Sequence, residues 1–188
     1  MVSNVHATAV SDVCDEEHAG LACLLRRQRY SHVLLMAGTN GTASSSLQPA
    51  HVCYTDCARP ICPDLGVSCG AAIGDRLCQL HALCHTAGAQ TVALSIPESR
   101  CVIKGPAFIG ERRCEANTLV REFAGRVPTQ CTYIPMDEAV PWTAASPNWE
   151  ADGLHMSAEG YRVFAAELTP KLRILLAATA ETCKQSAR

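Results

Sequence analysis

The chain has 188 residues, 48% of them hydrophobic and 18% charged, enough length and apolar content to bury a single core, so one domain over 1–188 is expected. A net charge of −2 and a pI near 6.4, with Lys and Arg gathered only in short runs at 26–29 and 111–113, exclude the basic footprint of a nucleic-acid binder. The longest apolar stretches, near 32–38 and 172–178, fall far short of the roughly 20 residues that span a bilayer, so the chain is expected to be soluble with no membrane span.

The first 18 residues carry neither a basic start nor a long apolar run, and nothing in them marks a signal peptide. Residues 15–29 are acidic at the start and basic at the end, with Leu21, Leu24 and Leu25 on one stripe, which predicts a helix. The near-continuous apolar run 32–38 ("HVLLMAG") predicts an interior parallel strand covered on both faces. Ile73, Leu77, Leu80 and Leu83 predict a helix over 70–88, closed by Gly88. "TVALSIP" (91–97) is a second strand, 111–127 a third helix, and "CTYIPMD" (131–137) a third strand. The terminal helix runs over 157–181, with Ser157 as its N-cap, Glu159 in its first turn and Pro170 as a kink. This alternation implies an α/β fold, a parallel sheet with helices packed on it. Ligands in such folds sit at the carboxyl ends of the strands, where Asn40, Pro97 and Asp137 fall.

The long turn-rich connection 41–69 is a cysteine-rich insertion that would overhang the same end of the sheet. With His51, its Cys53, Cys57, Cys62 and Cys69 offer one way to hold zinc, but the spacings lack the two-residue knuckle of most zinc sites, and loop disulfides or idle thiols are the commoner outcome. The 12 cysteines of the chain, roughly 6%, leave the redox compartment open. Ser44, Ser45 and Ser46 read as solvated loop. His81 and His85, at i and i+4 on one helix, have the spacing of metal ligands and equally that of packed side chains. No metal or organic cofactor is expected.

Two stretches carry chemistry. "DGLHMSAEGY" (152–161) places Asp152 three residues before His155 at a helix start, so a carboxylate can hold one ring nitrogen while the other faces a nucleophile. "MAGTN" (36–40) ends a strand at Gly38 and Asn40, whose amide N–H can stabilise an oxyanion. Taken in this order, the two stretches resemble the third block (Gly-x-Asn-Asp) and fifth block (Asp-x-x-His followed by Ser-x-x-Gly-Tyr) of the SGNH, or GDSL, hydrolase superfamily. The strand 91–97 and the helix around Asn117 are also similar, and the resemblance covers about 4–176. It implies a three-layer α/β/α sandwich with a flavodoxin-like parallel sheet, and hydrolysis of carboxylic esters through a serine acyl-enzyme. His155 would be the general base, Asp152 its orienter and Asn40 an oxyanion donor. The family's second block falls on "NVH", which makes His6 the second oxyanion donor through its backbone N–H. Trp142 and Trp149 would line a substrate pocket with Gly38, or act as plain packing residues.

The chain departs from the family in having no Gly-Asp-Ser anywhere and Gly41 in place of the aspartate after Asn40. A sheet with the family's order 2-1-3-4-5 that starts after its first strands would leave 32–38 as an apolar edge. The expectation is thus an esterase domain incomplete at its N-terminus, its nucleophile carried by a preceding segment. The alternatives are a non-catalytic binding protein on the same scaffold and a cysteine-rich zinc module. The partner implied by the resemblance is a small-molecule ester. "NGT" at 40–42 is a glycosylation sequon that a functional Asn40 could not share with a glycan, which favours the cytoplasm over the secretory route.

Overall fold

The structure, a computed structural model, describes residues 20–38, 68–105 and 107–186. These residues are mixed α/β, in the order α1 (Leu21–Arg27), β1 (His32–Leu35), α2 (Cys69–Thr86), β2 (Gln90–Leu94), α3 (Arg100–Lys104), α4 (Ala107–Arg126), β3 (Cys131–Ile134) and α5 (Ala158–Ser186). They divide into two compact units, one holding 20–38, 68–96, 101–105 and 107–135, the other 97–100 and 136–186.

In the first unit the three strands run parallel in the order β1-β2-β3. Val33 and Leu35 stand opposite Thr91 and Ala93, which in turn face Cys131 and Tyr133. Side chains alternate along a strand, so these residues share one face of the sheet. That face meets Ile73, Leu77 and Leu80 of α2 and Ala116 and Val120 of α4 to form the core. Both crossovers advance in the same direction across the sheet, and a right-handed connection then lays both helices on the same face. The two helices approach closely: a Cβ on Gly74 would stand 2.8 Å from Leu119 Cδ1 and 3.3 Å from the Cα of Ala116.

The helix ends follow from local chemistry. Ser68 caps α2, its Oγ accepting from the Ala71 N–H at 3.0 Å, and Gly88 turns the chain out at φ +82° while its N–H reaches the His85 carbonyl. Arg26 and Arg27 close α1 where the dipole favours cations. α4 begins at Ala107, four residues earlier than its apolar pattern predicts.

β1 corrects one expectation. The run 32–38 does not form an interior strand covered on both faces; it forms a four-residue edge strand, with Leu34 46% and Met36 39% exposed. Among the described residues β1 has a neighbour on one side only, and α2 and α4 cover one face of the sheet. β2 is the strand with full cover, Thr91 to Leu94 all being buried.

Beyond the end of β2, Asn117 on α4 closes the backbone of Ile96 from both sides. Its Oδ1 accepts from the Ile96 N–H at 2.7 Å and its Nδ2 donates to the Ile96 carbonyl at 3.2 Å, where Arg113 Nη1 also donates at 3.2 Å. The amide acts as a further rung for a strand that has run out of partners. Asn117→Leu is expected to cost about 3 kcal/mol, because it strands a buried N–H and weakens the cover on the carbonyl, a larger loss than the net value of one hydrogen bond. Far-UV circular dichroism in a urea titration measures it, and an unchanged midpoint would show that Ile96 finds other partners.

The second unit consists of a turn-rich segment and α5. Met136, Val140, Trp149, Met156, Phe164 and Leu168 are buried in it. Ser157 caps α5 as its sequence predicts, its Oγ accepting from the Gly160 N–H at 3.2 Å and donating to the Pro147 carbonyl at 2.6 Å. α5 continues through Pro170.

Candidate active site

The loop that carries Asp152 and His155 lies in the second unit and is built by a folded-back backbone. The Glu150 N–H donates to the His155 carbonyl at 2.9 Å, the Gly153 N–H returns to the Glu150 carbonyl at 2.8 Å, and Trp149 pairs in an antiparallel bridge with Met156. Gly153 sits at φ +67° and is buried, with the Arg100 N–H donating to its carbonyl at 2.8 Å. A Cβ at this position would stand 2.5 Å from Arg100 Cβ and 3.0 Å from Trp142 Nε1. Only glycine serves both the left-handed turn and the close approach.

Within this turn the two carboxylate oxygens of Asp152 have separate tasks. Oδ1 accepts from the backbone N–H groups of Leu154 (2.8 Å) and His155 (3.0 Å), which fixes the carboxylate to the turn. Oδ2 lies 2.7 Å from His155 Nδ1. The hydrogen bond from the imidazole, then those from the two backbone N–H groups, bring the Asp152 carboxyl down to about 2, so it is ionised at neutral pH. An ionised acceptor at Oδ2 puts the ring proton on Nδ1 and leaves Nε2 as the basic nitrogen. His155 is 65% and Asp152 51% exposed, and Nε2 has no hydrogen bond among the described residues. An ion pair this exposed contributes at most about 1 kcal/mol to stability. What the arrangement does chemically is hold one imidazole in one tautomer with its free nitrogen facing out.

The other predicted site residues divide into those the structure places and those it does not describe. Trp142 adjoins the Asp152–His155 loop through Gly153. Trp149 is a buried packing residue whose Nε1 donates to the Pro141 carbonyl at 3.3 Å. Gly38, in the first unit, follows β1 at φ +104°, and a Cβ there would lie 2.9 Å from Ile96 Cδ1. Asn40, His6, the serines 44–46 and the loop ligands His51, Cys53, Cys57 and Cys62 lie outside the described residues. Gly153 and Arg100 were not among the predicted site residues; the Asp-Gly pair at 152–153 is the turn signal that points to the first of them.

No group of three or more His, Cys, Asp or Glu side chains among the described residues is arranged to hold a metal. His81 and His85 are packing residues. Their rings flank Phe123 with centroids 6.0 and 5.9 Å away, His85 Nε2 lies 2.9 Å from Thr91 Oγ1, and His81 Nδ1 lies 3.9 Å from Cys131 Sγ. Burial pushes the Cys84 thiol up to about 12, aided by the neighbouring Cys131 thiol, and the Cys78 thiol up to about 11, aided by the Asp75 carboxylate, so both stay protonated and inert at neutral pH. Cys69 is buried at the start of α2, and Cys23, Cys78, Cys84, Cys114 and Cys131 are thiols outside any disulfide. No helix of the described residues is long and apolar enough to cross a membrane.

No family model, curated protein or solved structure matches the chain. The assignment of a reaction therefore rests on the Asp152–His155 geometry and on the sequence blocks around it.

Proposed function

We propose that the chain belongs to an ester hydrolase of the SGNH type, in which His155 is the general base and Asp152 orients it. The observation that carries this reading is the 2.7 Å contact of Asp152 Oδ2 with His155 Nδ1, in a turn that fixes the carboxylate through two backbone N–H groups and leaves Nε2 unbonded among the described residues. Two features of the fold support it. Three parallel strands in the order β1-β2-β3 match the last three strands of a 2-1-3-4-5 sheet, and among the described residues β1 is its edge, the position at which that order would add a further strand. The finer three-layer sandwich belongs to this proposal.

In the reaction a serine hydroxyl, supplied outside the described residues, loses its proton to His155 Nε2 as its oxygen bonds to the ester carbonyl carbon. The imidazolium is stabilised by the ionised Asp152, and Asn40 with the backbone N–H of His6 would hold the oxyanion. Collapse breaks the carbon–oxygen bond to the alcohol, which leaves with the proton from Nε2. Water then repeats the sequence on the acyl-enzyme and releases the acid.

The test uses the natural full-length protein with a p-nitrophenyl ester and a fluorophosphonate label. His155→Ala is expected to abolish both turnover and labelling. Asp152→Asn is expected to lower kcat by roughly 10³- to 10⁴-fold, because the neutral amide no longer selects the Nδ1–H tautomer, while the unfolding midpoint barely moves. Turnover retained in His155→Ala would overturn the assignment. Binding of ester without turnover by the wild type would make the protein a non-catalytic relative.

A further inference from the structure

Among the described residues, Arg112 is a buried cation without a salt-bridge partner. It lies on the core-facing stripe of α4 with Ile109, Ala116 and Val120 and is only 5% exposed, yet neither of its terminal nitrogens, Nη1 or Nη2, has a hydrogen-bond partner. Its guanidinium packs on Phe108, one turn earlier, whose ring centroid lies 4.4 Å from the guanidinium carbon. A guanidinium cannot escape burial by losing its proton, as a lysine or histidine can, since it stays ionised at every physiological pH. Attraction to one ring face is smaller than the penalty for taking the charge out of water. On the same helix the Glu115 carboxylate accepts from the hydroxyl of Ser68, the N-cap of α2.

Arg112 neighbours a second buried arginine, close to the end of the sheet where β2 stops. Arg113, also buried, donates to the Ile96 carbonyl just beyond β2. The first turn of α2, an 18-residue helix whose N-terminus bears positive partial charge, passes directly beside the Arg112 turn: a Cβ on Gly70 would stand 2.9 Å from the Arg112 carbonyl.

We propose that the two buried, unpaired terminal nitrogens of Arg112 are an anion-binding site that takes the oxyanion of a small carboxylate- or phosphate-bearing molecule. Two N–H groups at the end of a planar fork pair with two oxygens of one such group, and Phe108 fixes the fork by covering one of its faces. The site stands on the first unit alone and does not depend on the ester-hydrolase reading.

Thermal unfolding of the full chain at constant ionic strength tests it, with inorganic phosphate and acetate titrated separately against chloride. The expected result is a midpoint that rises with phosphate or acetate along a saturating binding curve and stays flat in chloride; which anion saturates at the lower concentration identifies the group. Arg112→Met is expected to abolish the rise, and to melt at or above the wild-type temperature without anion, because it removes an unpaired buried charge. Arg76→Met, at an exposed arginine of α2, should keep the wild-type response. Should Arg112→Met fail to fold, Arg112→Lys retains the charge without the fork and is expected to weaken binding at least tenfold, read by ³¹P line broadening or by the acetate midpoint. No saturable rise in the wild type, or an undiminished rise in the Arg112 variants, would overturn the proposal.

Discussion

Gly160→Ala is expected to destabilise the second unit by roughly 3 kcal/mol, the upper end of what overpacking costs. A Cβ on Gly160 would stand 2.0 Å from the Asn148 carbonyl oxygen, and the obstacle is backbone. That carbonyl accepts from the Ser157 N–H at 2.9 Å, so it cannot retreat without pulling apart the junction between the Asp152–His155 loop and α5. Helix propensity opposes the loss, since alanine is preferred to glycine by about 1 kcal/mol in a helix, and the collision outweighs it. Both tryptophans of the chain, Trp142 and Trp149, lie in this unit, so fluorescence in a urea titration reads its unfolding directly. Gly125→Ala is the counter-case. Nothing lies within 4 Å of its added Cβ, and the change should stabilise the first unit by up to about 1 kcal/mol by circular dichroism. If Gly160→Ala unfolded at the wild-type midpoint, the close passage of α5 under Asn148 would be wrong.

Acidification from pH 6.5 to 4 is expected to remove roughly 3 kcal/mol from the first unit through His81 alone. Burial, with a smaller contribution from His85, lowers the imidazole from 6.5 to about 4. The folded protein thus keeps His81 neutral down to about pH 4, whereas the unfolded chain binds its proton below about 6.5. The unfolded state holds more protons throughout that window, so stability is complete above 6.5, falls as the pH drops, and levels off below 4. His85, which burial also pushes down, adds in the same sense. The depressed Asp152 carboxyl acts on the second unit and only below about pH 4, so the windows separate. His81→Leu should remove most of the slope between pH 6.5 and 4 in urea midpoints followed by circular dichroism. An unaltered slope would mean that His81 gains its proton inside the folded state.

The elements themselves were legible. Apolar spacing located all three strands, and Ser157 and Gly88 marked helix ends because capping is local chemistry. The Asp152–His155 pair was legible for the same reason: three residues across one turn suffice to bring a carboxylate to an imidazole, and the structure places them 2.7 Å apart. The exposure of one β1 face, the close approach at Gly160 and the packing of His81 against Phe123 and Cys131 were not legible. Each depends on a segment distant in sequence, and periodicity reports only that a face is apolar, not whether anything covers it.

Local order along the chain, by itself, determined an α/β succession of elements and an oriented Asp–His pair, since both arise from contacts within a few residues. Tertiary structure alone decided that β2 is the strand with full cover, and that Arg112 and Asn117 turn inward with the apolar residues of α4. Helix spacing puts these two polar side chains on the stripe of Ile109, Ala116 and Val120, but only the packing of that stripe against α2 and the sheet removes them from water. It is there that Asn117 finds the Ile96 backbone and that the two terminal nitrogens of Arg112 find no acceptor among the described residues.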